Sequence, residues 1–519
     1  MKTMRFDMII LALLLKQLIG INNALSRAQT LGRFFINWHL GIVIVLASAA
    51  SIQPLFGQAK STLNLEEVIG LAKSQSIEAK QASTTKENSY WQYKVHLSNY
   101  KPQLVLDGIL PGYNRFFQEV IQPDGAVLFQ QVQNNNSSLG LALEQNLSAT
   151  GGTLFMTSRL QRFDDFDRNY SLYNSTLFAL GIEQPLFGFN QLKWDKKIEP
   201  LKYEESNREY LEQLEQIALK ACGFYFDLLL SLENQQMAQS NLEATQHILT
   251  IAEEKLEVGK ISRNELLQLK LELLKAQKAL GMARQAAETA ALHLKSYIGI
   301  QTYSEFQLDI PYPQRFPDLD IQFLLRQAYG NRSDSIAFER RLLEAEQELQ
   351  LAKANQGFSA TAKAYLGFSN SAANLEAVTQ SPQNYQSINL QFSVPILDWG
   401  RSDARMQTAA ANRKLLIFAI EQDRQNFEQQ VFTQFSLFEL LKEQLELSKE
   451  ADTIALEKYQ VAKDRYILGN LSVTDLSIAS NEKDQARRDL ITDLRDYWMA
   501  YYNLRYLTLY DPEKREKIH

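Results

Sequence analysis

Cysteine is nearly absent: the 519 residues hold one, Cys222. No internal disulfide can form. Ala221, Gly223 and Phe224 beside it offer no basic neighbour to activate a thiol, so Cys222 reads as a small apolar core residue. Histidine is scarce too: His39, His96, His247, His293 and His519 show no metal-ligand spacing. Nucleophile elbows and phosphate loops are missing. These gaps argue against an enzyme and call for no cofactor and no metal. Asp164, Asp165 and Asp167 make a small acidic cluster, which reads as a solvated loop because calcium loops normally offer more ligands. A net charge of -6 without a clustered basic surface gives no argument for nucleic acid.

Long apolar runs are lacking as well. After residue 60 no stretch approaches the roughly 20 apolar residues that a membrane-crossing helix needs. A mature chain that enters a bilayer must therefore do so as a closed β-barrel. Two short runs precede that point, Met8 to Ile21 and Leu40 to Ala50. The second follows Arg27 and Arg33 like a signal core, and Ala47-Ser48-Ala49 and Gly57-Gln58-Ala59 offer small-x-small cleavage sites. Residues 1–59 are expected to serve export, with translation starting downstream of Met1 and the mature chain starting between Ser48 and Lys60. With no cysteine near either site, an N-terminal lipid anchor is not expected.

What is present is a duplication. Gln184-Pro185-Leu186-Phe187-Gly188 resembles Val394-Pro395-Ile396-Leu397-Asp398, and Pro395 lies 210 residues after Pro185. The stretch from Leu256 to Ser262, with Val258-Gly259-Lys260, resembles that from Tyr466 to Ser472, with Leu468-Gly469-Asn470. Gly469 again lies 210 residues after Gly259. Upstream, Ala72 and Ala328 match at an offset of 256, so the first copy carries 46 extra residues before its proline. Each copy predicts a helix (Leu65 to Asn99; Ile321 to Asn355), a β segment (102–184; 358–395), a very long helix and a return helix (Ser262 to Ile298; Ser472 to Leu507). The first copy spans 60–299 and the second 319–508, with a linker over 300–318 and a tail over 509–519.

From Arg401 to Leu468 there is neither Gly nor Pro, so that helix could extend about 100 Å. Its counterpart starts near Phe189 and meets Pro200, read as a kink or a late start. The first return helix carries a 3-4 seam: Leu266, Leu269, Leu273, Ala276, Leu280, Ala283, Ala287, Ala290 and Leu294. The β segments alternate, as in Ile388, Leu390, Phe392 and Val394 against Asn389, Gln391 and Ser393. Such strands suit a barrel with an apolar exterior, and equally a soluble sheet with one wet face. Phe187, Phe189 and Trp399 stand where strand becomes helix, as interface aromatics would. The additional strand-like stretches Leu139 to Leu147 and Thr153 to Leu160 read as a hairpin on the external side, with extra barrel strands as the alternative.

This order, twice over in an exported chain, resembles the TolC-like outer-membrane efflux proteins from about residue 61 to 508. The resemblance implies a mainly α fold with a β-barrel contribution. Tandem-duplicated long coiled helices would join transmembrane β-strands, four from each of three chains, in a homotrimeric 12-stranded barrel continued by a helical periplasmic tunnel. It implies the outer-membrane channel of a tripartite efflux or type I secretion system, set in outer-membrane lipid and partnered by a periplasmic adaptor and an inner-membrane pump. The tips, Val258, Gly259, Lys260, Leu468, Gly469 and Asn470, would meet the adaptor. Asp475 would contribute to a carboxylate ring at the constriction, with Glu265 at the equivalent place and Tyr466 tying the closed tips. The family's second aspartate is Ile478 here and its arginine is Leu471, so the polar latch is partial. Read as plain chemistry, Glu265 and Asp475 are also charges favoured at a helix N-terminus. The rival is an exported coiled-coil scaffold such as an adaptor, which predicts one hairpin rather than two tandem copies.

Overall fold

The computed structural model describes residues 62–257, 259, 261–300, 307–315 and 317–519. The expected export region, Val258 and Lys260 lie outside the described residues. The chain divides into two compact units, and the description concerns the larger, Leu63–Thr302 with Leu308–His519.

The opening helix of each copy is two helices. In the first, α1 (Leu65–Gln75) and α2 (Ile77–Ser98) meet at Ser76, whose hydroxyl caps α2 by accepting from the Ala79 N–H. In the second, α5 (Ile321–Asn331) and α6 (Ser333–Ala354) meet at Arg332. The continuous helices expected over 65–99 and 321–355 are thus each broken, at positions 256 apart, the same offset the sequence carries there. An extended residue at each break interrupts the i→i−4 ladder.

The long helices are α3 (Gln191–Glu257) and α7 (Arg401–Ile467), 67 residues each and so about 100 Å long. Asn190 accepts from the Lys193 N–H at the start of α3. The helix does not start late: it opens at Gln191 and Pro200 lies inside it, at the tenth position. The return helices α4 (Arg263–Ile298) and α8 (Val473–Thr508) run back along them. Every residue of the predicted α4 seam is buried or half-buried, with Leu269, Leu280, Ala287 and Leu294 nearly sealed. The largest core joins α1, α3, α4, α7 and α8 through Tyr225, Phe226, Leu294, Phe438, Leu494 and Tyr497. Cys222 lies in it, and burial pushes its thiol pKa up, as an inert core residue requires.

Beside that core one buried carboxylate meets cations from two helices. Glu215 is fully buried; Arg505 approaches it at 3.0 and 3.3 Å and Lys73 at 2.5 Å. Arg505 also meets Asp511 at 2.7 Å. The tail expected over 509–519 therefore folds back, and Tyr510–Asp511 pairs with Glu516–Lys517.

The remaining chain forms one antiparallel sheet of seven strands: β1 (Gln103–Ile109), β2 (Tyr113–Ile121), β3 (Val127–Leu147), β4 (Gly152–Asp165), β5 (Tyr170–Pro185), β6 (Ser359–Ala372) and β7 (Gln383–Ser393). β1 and β2 share one edge of β3, so the sheet has six rows, in the order β1/β2, β3, β4, β5, β6, β7. The first copy donates four rows and the second two. The resemblance implied four rows per chain; the 46 extra residues hold the other pair. The turn between β3 and β4 also sits at the helix end of the sheet rather than the far end. Asn146 donates to the Asn99 carbonyl at 3.2 Å, and Asn190, beside α3, donates to the Ser148 carbonyl at 3.0 Å.

Candidate channel wall and tips

Register decides what each face of the sheet carries. Leu104, Leu143, Met156, Leu180 and Leu366 stand side by side across five rows. Leu154, Ile182, Ala364 and Ile388 form a second apolar line on the same face. The row between them, Gln103, Glu144, Phe155, Gly181, Tyr365 and Ser387, points the other way and carries the Phe155 ring over Gly181 beside Tyr365. The next row on that face, Asn146, Thr153, Glu183, Lys363 and Asn389, is polar throughout. On that polar face Lys363 meets Glu183 at 2.9 Å, and Arg159 reaches across β3 to Asp107 at 3.1 Å. The latter pair passes over Gly140, where a Cβ would come within 2.9 Å of the Asp107 carboxylate. The apolar face is not covered by the chain itself: Ile388 is 86% exposed and Leu390 60%. A soluble sheet buries such a face, whereas a lipid-facing wall leaves it bare.

At the strand-to-helix junction the expected aromatics differ in setting. Trp399 is 89% exposed and Phe187 is exposed beside Phe358, with ring centres 5.4 Å apart; Phe189 is half-buried. Phe358 extends the cluster and was missed, because nothing in its local spacing marks it.

At the other end of the helices, Gly259 and Gly469 adopt φ of 72° and 83°, the left-handed region that glycine enters without strain. Gly469 donates to the Tyr466 carbonyl at 3.0 Å, and Leu468 and Asn470 flank it at the end of α7. Within the chain Glu265 and Asp475 sit in the first turns of α4 and α8, each held by the serine that caps its helix. Ser262 and Glu265 exchange bonds of 2.8 and 3.2 Å as a capping box. Ser472 donates its hydroxyl to Asp475 at 2.7 Å and accepts the Asp475 N–H at 3.2 Å. Asp475 remains exposed.

Tyr466 is buried between the two hairpins with Ile248, Ala252, Leu269, Val473 and Leu476. Burial, with the Glu265 charge adding, raises its hydroxyl pKa. That hydroxyl has no hydrogen-bond partner among the described residues. The polar tie between hairpins comes instead from Lys255, near the end of α3. Its ammonium donates to the Tyr466 carbonyl at 3.1 Å and lies 5.0 Å from the Tyr466 ring centre. A cation there adds to the carbonyls at the end of α7, where the helix dipole favours positive charge. No spacing rule marks Lys255, because its partner is 211 residues away.

The acidic cluster is structural. Asp164 is buried and takes bonds from Arg162, Ser171 and Asn135, while Asp165 and Asp167 accept backbone N–H groups. Among the described residues no group of acidic, histidine or cysteine side chains is arranged to hold a metal.

The family model for outer membrane efflux proteins matches residues 130–300 and 324–508, one stretch in each copy. The chain belongs to this family. Family members are transport channels, which favours the channel reading over the coiled-coil scaffold. One relative, the pyoverdine export outer membrane protein OpmQ of Pseudomonas aeruginosa, is 25% identical over 286 residues, covering 54% of this chain and 57% of that protein. The match thus spans little more than half of the relative's length. Among solved structures, the CmeC outer membrane channel of Campylobacter jejuni aligns with a TM-score of 0.63 at 16% identity, over 88% of this chain and 90% of that one. The outer membrane protein VceC of Vibrio cholerae aligns at 0.61 and 14%, over 88% and 97%. These likenesses support the fold.

Proposed function

We propose that three copies of this chain form a passive duct across the outer membrane, the exit of a tripartite efflux or type I secretion assembly for small molecules or polypeptides. The observation that carries the reading is the bare apolar face of the sheet, on a chain whose helices already bury cores of their own. In lipid an open sheet would leave backbone groups unpaired at both edges, so copies must join edge to edge. A second apolar stripe on α4 supports the joining. Leu267, Leu271, Leu274, Met282 and Leu292 lie nearly opposite the buried seam and are all exposed. Helices of a neighbouring copy would cover them.

The helical part stands in the periplasm and meets an adaptor through Val258, Gly259, Lys260, Leu468, Gly469 and Asn470, with an inner-membrane pump beyond. Asp475 and Glu265 line the constriction beside Tyr466. Phe187, Phe189 and Trp399 sit at the interface between the outer membrane and water. In the test, the protein is fractionated, washed with salt, sized in detergent and reconstituted in planar bilayers. A salt-resistant outer-membrane trimer that conducts ions supports the reading; a water-soluble monomer overturns it.

A further inference from the structure

We infer that the barrel is built from eighteen strands, six rows from each of three copies, and is about half again as wide as a twelve-stranded one. The inference rests on the duct reading and adds the wall's composition. It assigns the additional β3–β4 hairpin to the membrane wall and not to an external loop.

Three observations carry it. First, the hairpin is in the middle of the sheet: β3 pairs with β4 over fourteen residues, and β4 pairs in turn with β5. Removing it from the wall would break the ladder between β1 and β5. Second, it has the same two faces as its neighbours. Leu143 and Met156 continue the apolar line, and Asn146 and Thr153 the polar one. A loop in water has no need of that match. Third, the stagger is that of a tilted wall. A row of partners starting at Gln103, the first residue of β1, runs through Glu144, Phe155, Gly181 and Tyr365 to Ser387, six residues short of the end of β7 at Ser393. That is about 20 Å of rise over about 24 Å of sheet, a strand tilt of about 40°, within the range closed barrels adopt.

The edges fit each other. β1 runs outward and β7 returns, so β7 of one copy meets β1 of the next in antiparallel sense. If both strands start level at the helix junction, Leu104 comes beside Phe392 and Leu106 beside Leu390, apolar to apolar, while Asp107 faces Asn389 on the polar side. A slip of one residue would mix the faces. At the same tilt, eighteen strands enclose a backbone cylinder about 36 Å across, against about 24 Å for twelve. Each copy still sends only four chain crossings into its helices, and the β3–β4 turn caps the remaining pair. The outer mouth is therefore wider than the helical part beneath it.

The experiment is strand counting in the native trimer by cryo-electron microscopy in lipid nanodiscs, with disulfide trapping in isolated outer membranes. Asp107→Cys with Asn389→Cys should link neighbouring copies into a covalent trimer, since Cys222 is buried and silent. Arg159→Cys with Asn389→Cys should not. Eighteen strands and the first cross-link support the inference. Twelve strands, or the Arg159–Asn389 cross-link, overturn it while leaving the duct intact. A trimer with eighteen strands but no Asp107–Asn389 link overturns the edge register alone. A protein absent from the outer membrane overturns the duct reading itself.

Discussion

Lys255→Met should loosen the closed tips, and Tyr466→Phe should not. The Lys255 ammonium joins α3 to the end of α7 through the carbonyls of Tyr466 and Ile467, at 3.1 and 3.4 Å, and sits over the Tyr466 ring. A charge-assisted hydrogen bond contributes about 1.5–3 kcal/mol and an exposed cation–π contact about 0.5–1 kcal/mol. Lys255 is half-buried, so solvent screening reduces the sum to about 1–2 kcal/mol per copy. Methionine keeps the aliphatic stem and removes only the charge. The closed-to-open ratio should fall about five- to thirtyfold per copy. Tyr466→Phe removes a buried hydroxyl that bonds nothing among the described residues, and costs about nothing or stabilises slightly. Single-channel recordings in planar bilayers, with both variants matched for trimer content, measure open probability directly. If Lys255→Met records like the parent, or Tyr466→Phe opens the channel as far, the tie assigned to Lys255 is wrong.

Glu215→Ala would leave the buried Arg505 with Asp511 as its remaining carboxylate and take the partner from Lys73. It should therefore destabilise the fold by less than the penalty of about 3–5 kcal/mol for a wholly unpaired buried charge; thermal melts of the detergent-solubilised protein check it, and adding Arg505→Met should deepen the loss because it strands the buried Asp511. Asp475→Ala should lower cation preference in reversal-potential measurements and cost about 0.3–1 kcal/mol by removing a first-turn negative charge from α8. Were selectivity unchanged, Asp475 would be a first-turn charge of α8 and nothing more. Leu180→Arg on the bare face of β5 should cost about 2–4 kcal/mol in the bilayer and deplete the outer-membrane trimer on heat-modifiability gels, whereas Asn389→Arg on the polar face should not.

The comparison of sequence and structure turns on how far each contact reaches along the chain. The α7 helix and the α4 seam were legible because helix periodicity is local: each residue's burial depends on neighbours three and four away. The tip glycines were legible because a left-handed turn selects for the missing Cβ. Ser76 and Arg332 were harder. Each breaks a helix by one extended residue that leaves the apolar pattern uninterrupted, and only their shared offset of 256 hints at a built feature. The 46-residue surplus was visible as a number, yet alternation could not say whether the added hairpin lay in the wall or beyond it. Both arrangements give the same period of two.

By itself the sequence determined the duplication, the long and return helices, the alternating strands and the lack, after residue 60, of any apolar stretch long enough to cross a membrane as a helix. All of these follow from local backbone preference and from the period of apolar residues. Tertiary structure alone decided the six-row order of the sheet, the bond from Lys255 to a carbonyl 211 residues away and the meeting of Glu215 with Arg505 across 290. Those depend on which distant segments share an edge or a core. That choice is made by the summed burial and hydrogen bonding of the whole chain, and no window of the sequence contains it.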